Sequence, residues 1–242
     1  MTPMAIVALH RYTPSMKAAI FDIDGTLVDS VDLHAGAWQE AFAHFGHSIP
    51  IEQIRSQIGK GGDQLMPVFL SPDELKAKGE RLEKFRGDLF KKKYLPAVKP
   101  FPKVRDLFQR FLSDGWKIAL ASSAKQDELK TYKSLCKIDD LLDTETSSAD
   151  AEKSKPHPDI FLAAVERLKT VPSQCIVIGD SPYDAEAAKK AGIVSVGFLC
   201  GGFPQPELMH AGCGELYAGA ADLLLKYERS LFAHFSRRTE TA

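Results

Sequence analysis

The stretch that decides the fold is Lys17-Ala18-Ala19-Ile20-Phe21-Asp22-Ile23-Asp24-Gly25-Thr26, an apolar run that ends at two aspartates and a glycine. Because side chains alternate along a strand, Asp22 and Asp24 start on the same side of it. Gly25 lets the chain turn sharply after them. An Asp-Gly turn, common between any two elements, would explain Asp24 and Gly25 but not Asp22. Two neighbouring carboxylates are costly unless a cation or a proton lies between them, so this stretch predicts a strand that ends at a charged site.

Three further short apolar runs end in polar turns. Residues 116–121 lead into Ser122-Ser123, residues 175–178 lead into Gly179-Asp180-Ser181-Pro182, and residues 193–197 form the last run. Short apolar runs suit strands that are buried on both faces of a parallel sheet. Helical patterns lie between them, so we expect an α/β fold with a doubly wound, Rossmann-like parallel sheet. Ligands bind such sheets beyond the carboxyl ends of the strands, where these polar turns fall.

One interval is too long for a simple crossover. A strand, its helix and the next strand need only ~30 residues or slightly more, yet the run after Asp24 begins at Trp116. The interval carries helical stripes and a helix start at Ser71-Pro72-Asp73-Glu74, which has the pattern of a capping box with a first-turn proline. We therefore expect an inserted helical cap domain at 31–98, a core at 16–30 and 99–230, and flexible termini at 1–15 and 231–242.

Composition excludes several classes of partner. The chain has 31 lysines and arginines against 32 aspartates and glutamates, so no global field attracts nucleic acid or an anionic membrane. No apolar run approaches the ~20 residues that span a bilayer. The four cysteines have neither zinc-ligand nor disulfide spacing, and we expect them to be reduced. These features predict a cytoplasmic protein without nucleic-acid or membrane partners.

The first stretch resembles motif one of the haloacid dehalogenase superfamily. The family's other motifs follow in order: Ser122 at the end of an apolar strand, Lys155 before a helix, and the acidic pair of Gly179-Asp180-Ser181-Pro182-Tyr183-Asp184. Each later motif alone is weak, since Ser122 could cap a helix, Lys155 could be a surface lysine, and Asp184 could belong to a capping box begun by Ser181. Four motifs in order, each at a predicted element end, are much stronger. The resemblance covers the chain from about Lys17 to Asp222.

The resemblance implies a Mg²⁺-dependent phosphatase. Asp22 would be the nucleophile and a metal ligand, Asp180 a second ligand, and Asp24 a ligand through its carbonyl oxygen as well as the general acid and base. Lys155 would neutralise the charge that builds up between nucleophile and phosphate. The remaining implied roles are binding of phosphoryl oxygens by Ser122 and Ser123 and support of these groups by Asp184, Gly25 and Thr26. Such a site is chemically sensible because a carboxylate attacks a phosphate ester only where positive charge offsets their repulsion.

Several alternatives stay open within this resemblance. The inserted helical domain resembles the family's first cap type, whose members handle phosphoglycolate, sugar phosphates and nucleotides; we expect a small phosphorylated metabolite, phosphoglycolate or a sugar phosphate first. A β-phosphoglucomutase-like enzyme is the rival, because His34 and Trp38 have that enzyme's spacing from the nucleophile. Against it, no arginine stands near Gly61-Gly62, and Gly179-Asp180 replaces its Glu-Asp pair. A non-catalytic binding or regulatory module on the same fold is the third possibility.

Contacts from the cap are the least determined part of the prediction. His34 is a candidate gate near the hinge, or simply a partly exposed helix residue. Lys60 and Gln64 are candidates for substrate contact, or members of a flexible glycine loop. The sequence does not distinguish a monomer from a homodimer.

Overall fold

A computed structural model describes the backbone of residues 16–238 and the side chains of residues 16–235. Its strands in chain order are β1 (Ala18–Phe21), β2 (Val28–Asp29), β3 (Lys99–Pro100), β4 (Lys117–Ala121), β5 (Thr144–Thr146), β6 (Cys175–Gly179), β7 (Val194–Phe198) and β8 (Cys213–Tyr217). Six of them form one sheet in the order β5-β4-β1-β6-β7-β8, and every pairing in it is parallel. The predicted fold class, a doubly wound α/β sheet, is confirmed.

Both faces of the sheet are buried because both sides of its strands are apolar. Along β1, Ala19 and Phe21 pack into one hydrophobic core, while Ala18 and Ile20 pack into another on the opposite face. Alternation of side chains along a strand produces this division. β1 lies between β4 and β6, so the residues that follow it emerge at the centre of the sheet.

The helices cover both faces and fill the interval between β2 and β3. In chain order they are α1 (Val31–His44), α2 (Ile51–Arg55), α3 (Gly62–Leu65), α4 (Pro72–Glu74), α5 (Glu80–Leu89), α6 (Val104–Ser113), α7 (Gln126–Cys136), α8 (Asp159–Leu168), α9 (Pro182–Lys190), α10 (Gln205–Ala211), α11 (Ala220–Lys226) and α12 (Leu231–Arg238). The predicted capping box at the start of α4 is confirmed, with the Ser71 hydroxyl accepting from the Glu74 amide. Among the described residues, no helix combines the length and the apolarity that a bilayer span requires.

Helices α1 to α5 build a hydrophobic core of their own. Trp38 and Phe42 of α1 pack there with Leu65 and Leu82. The chain enters and leaves this helical segment through β2 and β3, which pair with each other antiparallel. A segment with its own core and two adjacent connections behaves as a separate unit. We therefore propose residues 31–98 as the cap and 16–30 with 99–230 as the core.

The prediction of a flexible C-terminal segment is wrong for its first part. The side chain of Phe232 in α12 is 1% exposed, and its ring lies 4.8 Å from that of Phe111 and 5.4 Å from that of Trp116. Burying an aromatic ring of this size orders the start of α12. Residues 1–15 and 239–242, which were also predicted to be flexible, lie outside the described residues.

Candidate active site

The polar turns meet at one edge of the sheet. Asp22 follows β1, Ser122 follows β4 and Asp180 follows β6, and these strands are neighbours in the sheet. The Asp22 amide donates to the Ile178 carbonyl at 2.8 Å, which continues the β1–β6 ladder to the nucleophile candidate. Parallel pairing therefore gathers residues that are far apart in sequence.

Lys155 joins two of the predicted carboxylates. Its Nζ lies 2.5 Å from Asp22 Oδ1 and 2.7 Å from Asp184 Oδ1, and Lys155 is 1% exposed. Burial alone would lower the pKa of Lys155, but Asp184 and Asp22 raise it, so the amine stays charged. The alternative of an ordinary surface lysine is wrong, and the positive charge needed beside a carboxylate nucleophile is present.

Asp184 has two simultaneous contacts. Ser181 caps α9, and its amide and hydroxyl donate to Asp184 Oδ2 at 3.1 and 2.6 Å. The other carboxylate oxygen accepts from Lys155. The hydrogen bonds from Ser181 at the start of α9 therefore also fix the Asp184 carboxylate that accepts from the Lys155 ammonium group.

The acidic cluster fits a hard cation. Oxygens of Asp22, Asp180 and Asp184 all lie within 4.8 Å of one another. Burial raises the pKa of Asp22 to about 7, with repulsion from Asp184 and Asp24 adding to the shift and Lys155 opposing it. Burial also raises the pKa of Asp180, and repulsion from Asp184 and Asp22 adds to it. Mg²⁺ prefers such oxygen ligands and would relieve these repulsions.

Gly25 and Thr26 hold Asp180 in this cluster. The Thr26 hydroxyl donates to Asp180 Oδ1 at 3.0 Å. Gly25 has φ +80°, and a Cβ there would lie 2.3 Å from Asp180 Oδ2. A side chain at position 25 would thus displace the carboxylate as well as strain the turn.

The Asp24 carboxylate turns away from the acidic cluster. It accepts from the Ser30 hydroxyl at 2.6 Å and contacts His34 Nε2 at 2.8 Å. Burial would raise the pKa of Asp24, but His34 outweighs it, with help from Ser30 and Arg86, and holds the pKa at about 2. The Asp24 side chain is therefore absent from the cluster that could hold a metal, whereas Asp184 is part of it.

His34 is buried, which rules out its interpretation as a partly exposed helix residue. It is 5% exposed and stacks on Phe90 with ring centroids 3.9 Å apart. Arg86 Nη2 lies 2.6 Å from His34 Nδ1. Since a guanidinium group can only donate, Nδ1 must accept, and the ring proton faces Asp24 from Nε2. His34 thus connects the cap to the candidate acid and base.

Ser122 and Ser123 occupy different positions. Ser122 is fully buried, and its Oγ accepts from the Ala124 amide at 3.0 Å. Ser123, with Ala124 and Lys125, lines the cavity above the acidic residues, and Ser122 is not on its wall. The hydroxyl proton of Ser122 is still free to donate, so its phosphate-binding role stays a prediction.

The loop Gly59-Lys60-Gly61-Gly62-Asp63 packs against the core. The Ser154 amide donates to Asp63 Oδ2 at 3.1 Å, and Lys60 Nζ lies 4.6 Å above the Tyr183 ring. Lys60 lines the cavity, whereas the Gln64 amide donates to Asp63 and is not on the wall. The loop is therefore an ordered contact between cap and core in this structure.

A cavity of about 270 Å³ opens between core and cap. Asp22, Asp24 and Lys155 lie on its wall together with residues that sequence reasoning missed: Glu83 and Arg86 of α5 and Glu128 of α7. These three stand in ordinary helical sequence with no local motif. They are identified only by the packing of α5 and α7 around the carboxyl ends of β1, β4 and β6.

Related proteins share both sequence and fold with this chain. The model of the haloacid dehalogenase-like hydrolases matches residues 19–198. A phosphorylated carbohydrates phosphatase of Thermotoga maritima is 30% identical over 178 residues, covering 74% of this chain and 82% of that protein. A phosphoglycolate phosphatase of Nitrosospira multiformis is 28% identical over 182 residues, covering 73% and 80%. The crystal structure of a hydrolase from Pseudomonas syringae has a TM-score of 0.80 at 27% identity, covering 88% of this chain and 98% of that one.

Proposed function

This chain belongs to the haloacid dehalogenase-like hydrolases, and on that premise we propose that it is a Mg²⁺-dependent phosphatase that cleaves small phosphate monoesters through a phosphorylated Asp22. The resemblance predicted from the motifs is confirmed by the family match, and the predicted enzyme class, a phosphoric monoester hydrolase, by relatives named phosphatases. The observation that carries the proposal is the buried ammonium group of Lys155, 2.5 Å from the Asp22 carboxylate at the wall of the cavity.

In the first half-reaction a carboxylate oxygen of Asp22 forms a bond to phosphorus while the bond from phosphorus to the ester oxygen breaks. Lys155 offsets the negative charge that builds up on the transferring group. The leaving oxygen needs a proton, which we assign to Asp24. A phosphate dianion close to Asp24 raises its pKa by repulsion and so favours the protonated form.

In the second half-reaction Asp24 acts in the opposite sense. Its carboxylate accepts a proton from the water that attacks the phosphorus of phospho-Asp22, and the bond between phosphorus and the Asp22 oxygen breaks. The hydrogen bonds from Ser30 and His34 favour this ionised form. The same residue can therefore serve both halves, because giving its proton to the leaving oxygen leaves Asp24 ionised and ready to accept a proton from the water.

We assign the Mg²⁺ ligands to Asp22 and Asp180, with the Asp24 carbonyl oxygen as the expected third and Asp184 beside them. A bound Mg²⁺ supplies positive charge to the phosphoryl oxygens. Thr26 and Gly25 keep Asp180 in place. The cap closes the cavity from the other side and keeps bulk water from the phosphorylated aspartate.

We also propose a cytoplasmic location, supported by the cysteines. Cys136, Cys175, Cys200 and Cys213 are all free thiols, and burial raises the pKa of Cys136 and of Cys175 to about 12. Unpaired, unreactive thiols fit a reducing compartment.

The first test replaces Asp22 by Asn, which removes the nucleophilic oxygen and keeps the shape. Phosphate release from an aryl phosphate, measured with Mg²⁺ and with a chelator, should depend on the metal in the wild type. The Asp22→Asn variant should lose at least about 10³-fold in kcat. Glu166→Gln, an exposed change on α8, is the matched control and should keep full activity. Mg²⁺ should also raise the melting temperature of the wild type and leave that of Asp180→Asn unchanged.

Each contrary result points to a different alternative. Appreciable residual turnover in Asp22→Asn would remove that residue as nucleophile. No phosphate release, but interconversion of β-glucose 1-phosphate in the presence of its bisphosphate, would identify the mutase. Neither activity, together with no effect of Mg²⁺ on melting, would favour a non-catalytic module.

A further inference from the structure

The cap and the core also meet at a contact away from the cavity. On the cap side of this contact are Arg55, the last residue of α2, and Ser56, which follows it. On the core side are Gly201, in the turn after β7, and Tyr183, in the first turn of α9. None of these four residues lies on the cavity wall. A substitution among them therefore alters the contact between cap and core without removing a group that could touch a substrate.

Arg55 joins the two sides of this contact. Its Nε donates to Asp32 Oδ1 at the start of α1 over 2.6 Å, and its Nη2 donates to the Gly201 carbonyl over 3.0 Å. Gly202 leaves room for the guanidinium group, because a Cβ at that position would lie 2.5 Å from Nη2. A guanidinium group is planar and donates in fixed directions. The two hydrogen bonds therefore fix the Gly201 carbonyl relative to the cap.

The backbone of Gly201 also packs against the Asp180 carboxylate. A Cβ at Gly201 would overlap Oδ2 of Asp180, and so would a Cβ at Gly25. The carboxylate is thus enclosed by two backbone segments, while the Thr26 hydroxyl donates to its Oδ1 at 3.0 Å. The orientation of the Asp180 oxygens therefore depends on where the turn after β7 lies.

A second hydrogen bond ties the same part of the cap to another member of the acidic cluster. The Tyr183 hydroxyl donates to the Ser56 carbonyl at 2.6 Å, and Tyr183 directly precedes Asp184 in α9. Asp184 and Asp180 both belong to the group of carboxylates that could hold a metal ion. Two consecutive residues of the cap thus contact the two core segments on which the positions of these carboxylates depend.

We propose that Arg55 is a positioning residue for the metal site: its hydrogen bond to the Gly201 carbonyl holds the turn after β7 and so keeps the Asp180 carboxylate in the acidic cluster. Groups that orient a metal ligand affect metal affinity although they do not touch the metal. Because Arg55 belongs to the cap, this hydrogen bond exists only while the cap lies against the core. Linkage is reciprocal, so Mg²⁺ held by Asp180 in turn favours the docked cap. This inference rests on the proposed phosphatase function and its metal site.

Arg55→Met tests this role, because it removes the charge and the donors and keeps an unbranched apolar stem. Following the melting temperature during a Mg²⁺ titration gives the apparent dissociation constant of the metal without any turnover. In Arg55→Met that constant should rise about 10-fold, the lower end of the usual effect of losing a partner of a metal ligand. Arg55→Lys, which still carries a charged donor, should recover part of the loss.

Arg81→Met is the matched control. Arg81 is an exposed arginine of α5 in the cap, and its guanidinium group lies over the Phe45 ring within the cap. This variant should bind Mg²⁺ as the wild type does. In the aryl phosphate assay at saturating Mg²⁺, the KM of Arg55→Met for the ester should stay near the wild-type value, since Arg55 does not line the cavity.

A merely structural role for Arg55 would give a different pattern. It would lower the melting temperature of the metal-free protein and leave the apparent dissociation constant of Mg²⁺ unchanged, which would overturn the proposal. An equal loss of Mg²⁺ affinity in Arg81→Met would overturn it too, because any lost cap charge would then suffice. If the wild type binds Mg²⁺ and hydrolyses the aryl phosphate while Arg55→Met matches it in Mg²⁺ affinity, only this inference fails. If the wild type neither binds Mg²⁺ nor hydrolyses the ester, the proposed function fails and the inference fails with it.

Discussion

Lys155 is a buried ammonium group held between the carboxylates of Asp22 and Asp184. Removing one partner from such a buried group costs ~3–5 kcal/mol, because an unpaired charge is left in a poorly solvated place. The chain therefore keeps a costly arrangement at the end of β1. In the proposed phosphatase reaction this arrangement would offset the further negative charge that an incoming phosphate brings to the same oxygen atoms.

His34, in the cap, contacts the Asp24 carboxylate directly. In His34→Ala the Asp24 carboxylate would lose its contact at 2.8 Å and be positioned by the Ser30 hydroxyl alone among the contacts described above. We expect kcat on an aryl phosphate to fall about 10- to 100-fold, with a smaller change in KM, since the phosphoryl group is bound elsewhere. Steady-state kinetics with saturating Mg²⁺ measure both constants.

His44 provides the matched control for that experiment. It lies on the same helix α1, is exposed, and stacks on Phe85 at 4.2 Å, within the cap. His44→Ala should keep wild-type kcat. If His34→Ala raises KM and leaves kcat intact, His34 binds substrate and does not position Asp24.

At the scale of elements, the cap loop 59–63 contributes glycine backbone where a side chain would not fit. A Cβ at Gly61 would lie 2.1 Å from Ser154 Oγ and 2.5 Å from Ser154 Cβ. Rotation of the serine hydroxyl alone cannot relieve the second contact. Because Ser154 precedes Lys155, a side chain at position 61 would either displace Lys155 or separate the loop from the core.

Gly61→Ala should therefore reduce kcat/KM on an aryl phosphate by about 10- to 100-fold, since misplacement by 1 Å can cost that much. Its melting temperature should change little, because residues 59–63 belong to none of the hydrophobic cores described above. Gly79→Ala is the matched control: the nearest atom to its Cβ would be 3.7 Å away, and alanine favours a helix over glycine. Equal activities of the two variants would show that the loop contact does not matter for catalysis.

At the scale of the whole molecule, α12 completes the larger hydrophobic core. Phe232, Phe111 and Trp116 form a group of edge-to-face aromatic contacts. These residues come from α12, from α6 and from the position directly before β4, so α12 packs against the helix and the strand start that it faces. Trp116 of this aromatic group directly precedes β4, and Ser122 of the candidate active site directly follows it.

Phe232→Ala should lower the free energy of unfolding by about 3–5 kcal/mol, the usual cost of emptying a buried aromatic site. Urea denaturation followed by circular dichroism measures this difference. Leu225, which is 84% exposed, is the control, and Leu225→Ala should change stability by less than ~0.5 kcal/mol. A loss below 1 kcal/mol for Phe232→Ala would mean that α12 is not held by this ring.

The sequence by itself determined the features that depend on near neighbours. Apolar runs with polar ends predicted β1, β4, β6 and β7, and the Ser71 pattern predicted the cap of α4. Motif spacing predicted Asp22, Lys155, Asp180 and Asp184, which the structure brings to one edge. It did not predict β5 (Thr144–Thr146), a polar strand at the edge of the sheet, or β8 (Cys213–Tyr217), interrupted by Gly214 and Glu215. Strands at or near an edge need less apolar sequence than buried ones.

Only the tertiary structure decided how distant helices surround the catalytic edge. It turned the Asp24 carboxylate toward His34, placed Arg86 behind that ring, and set Glu83 and Glu128 on the cavity wall. It also ordered the last helix against Trp116. None of these outcomes has a local signal, because each depends on which faces of separate helices pack together. Local patterns reflect the backbone's own preferences, whereas the contents of a cavity depend on the packing of residues far apart in the chain.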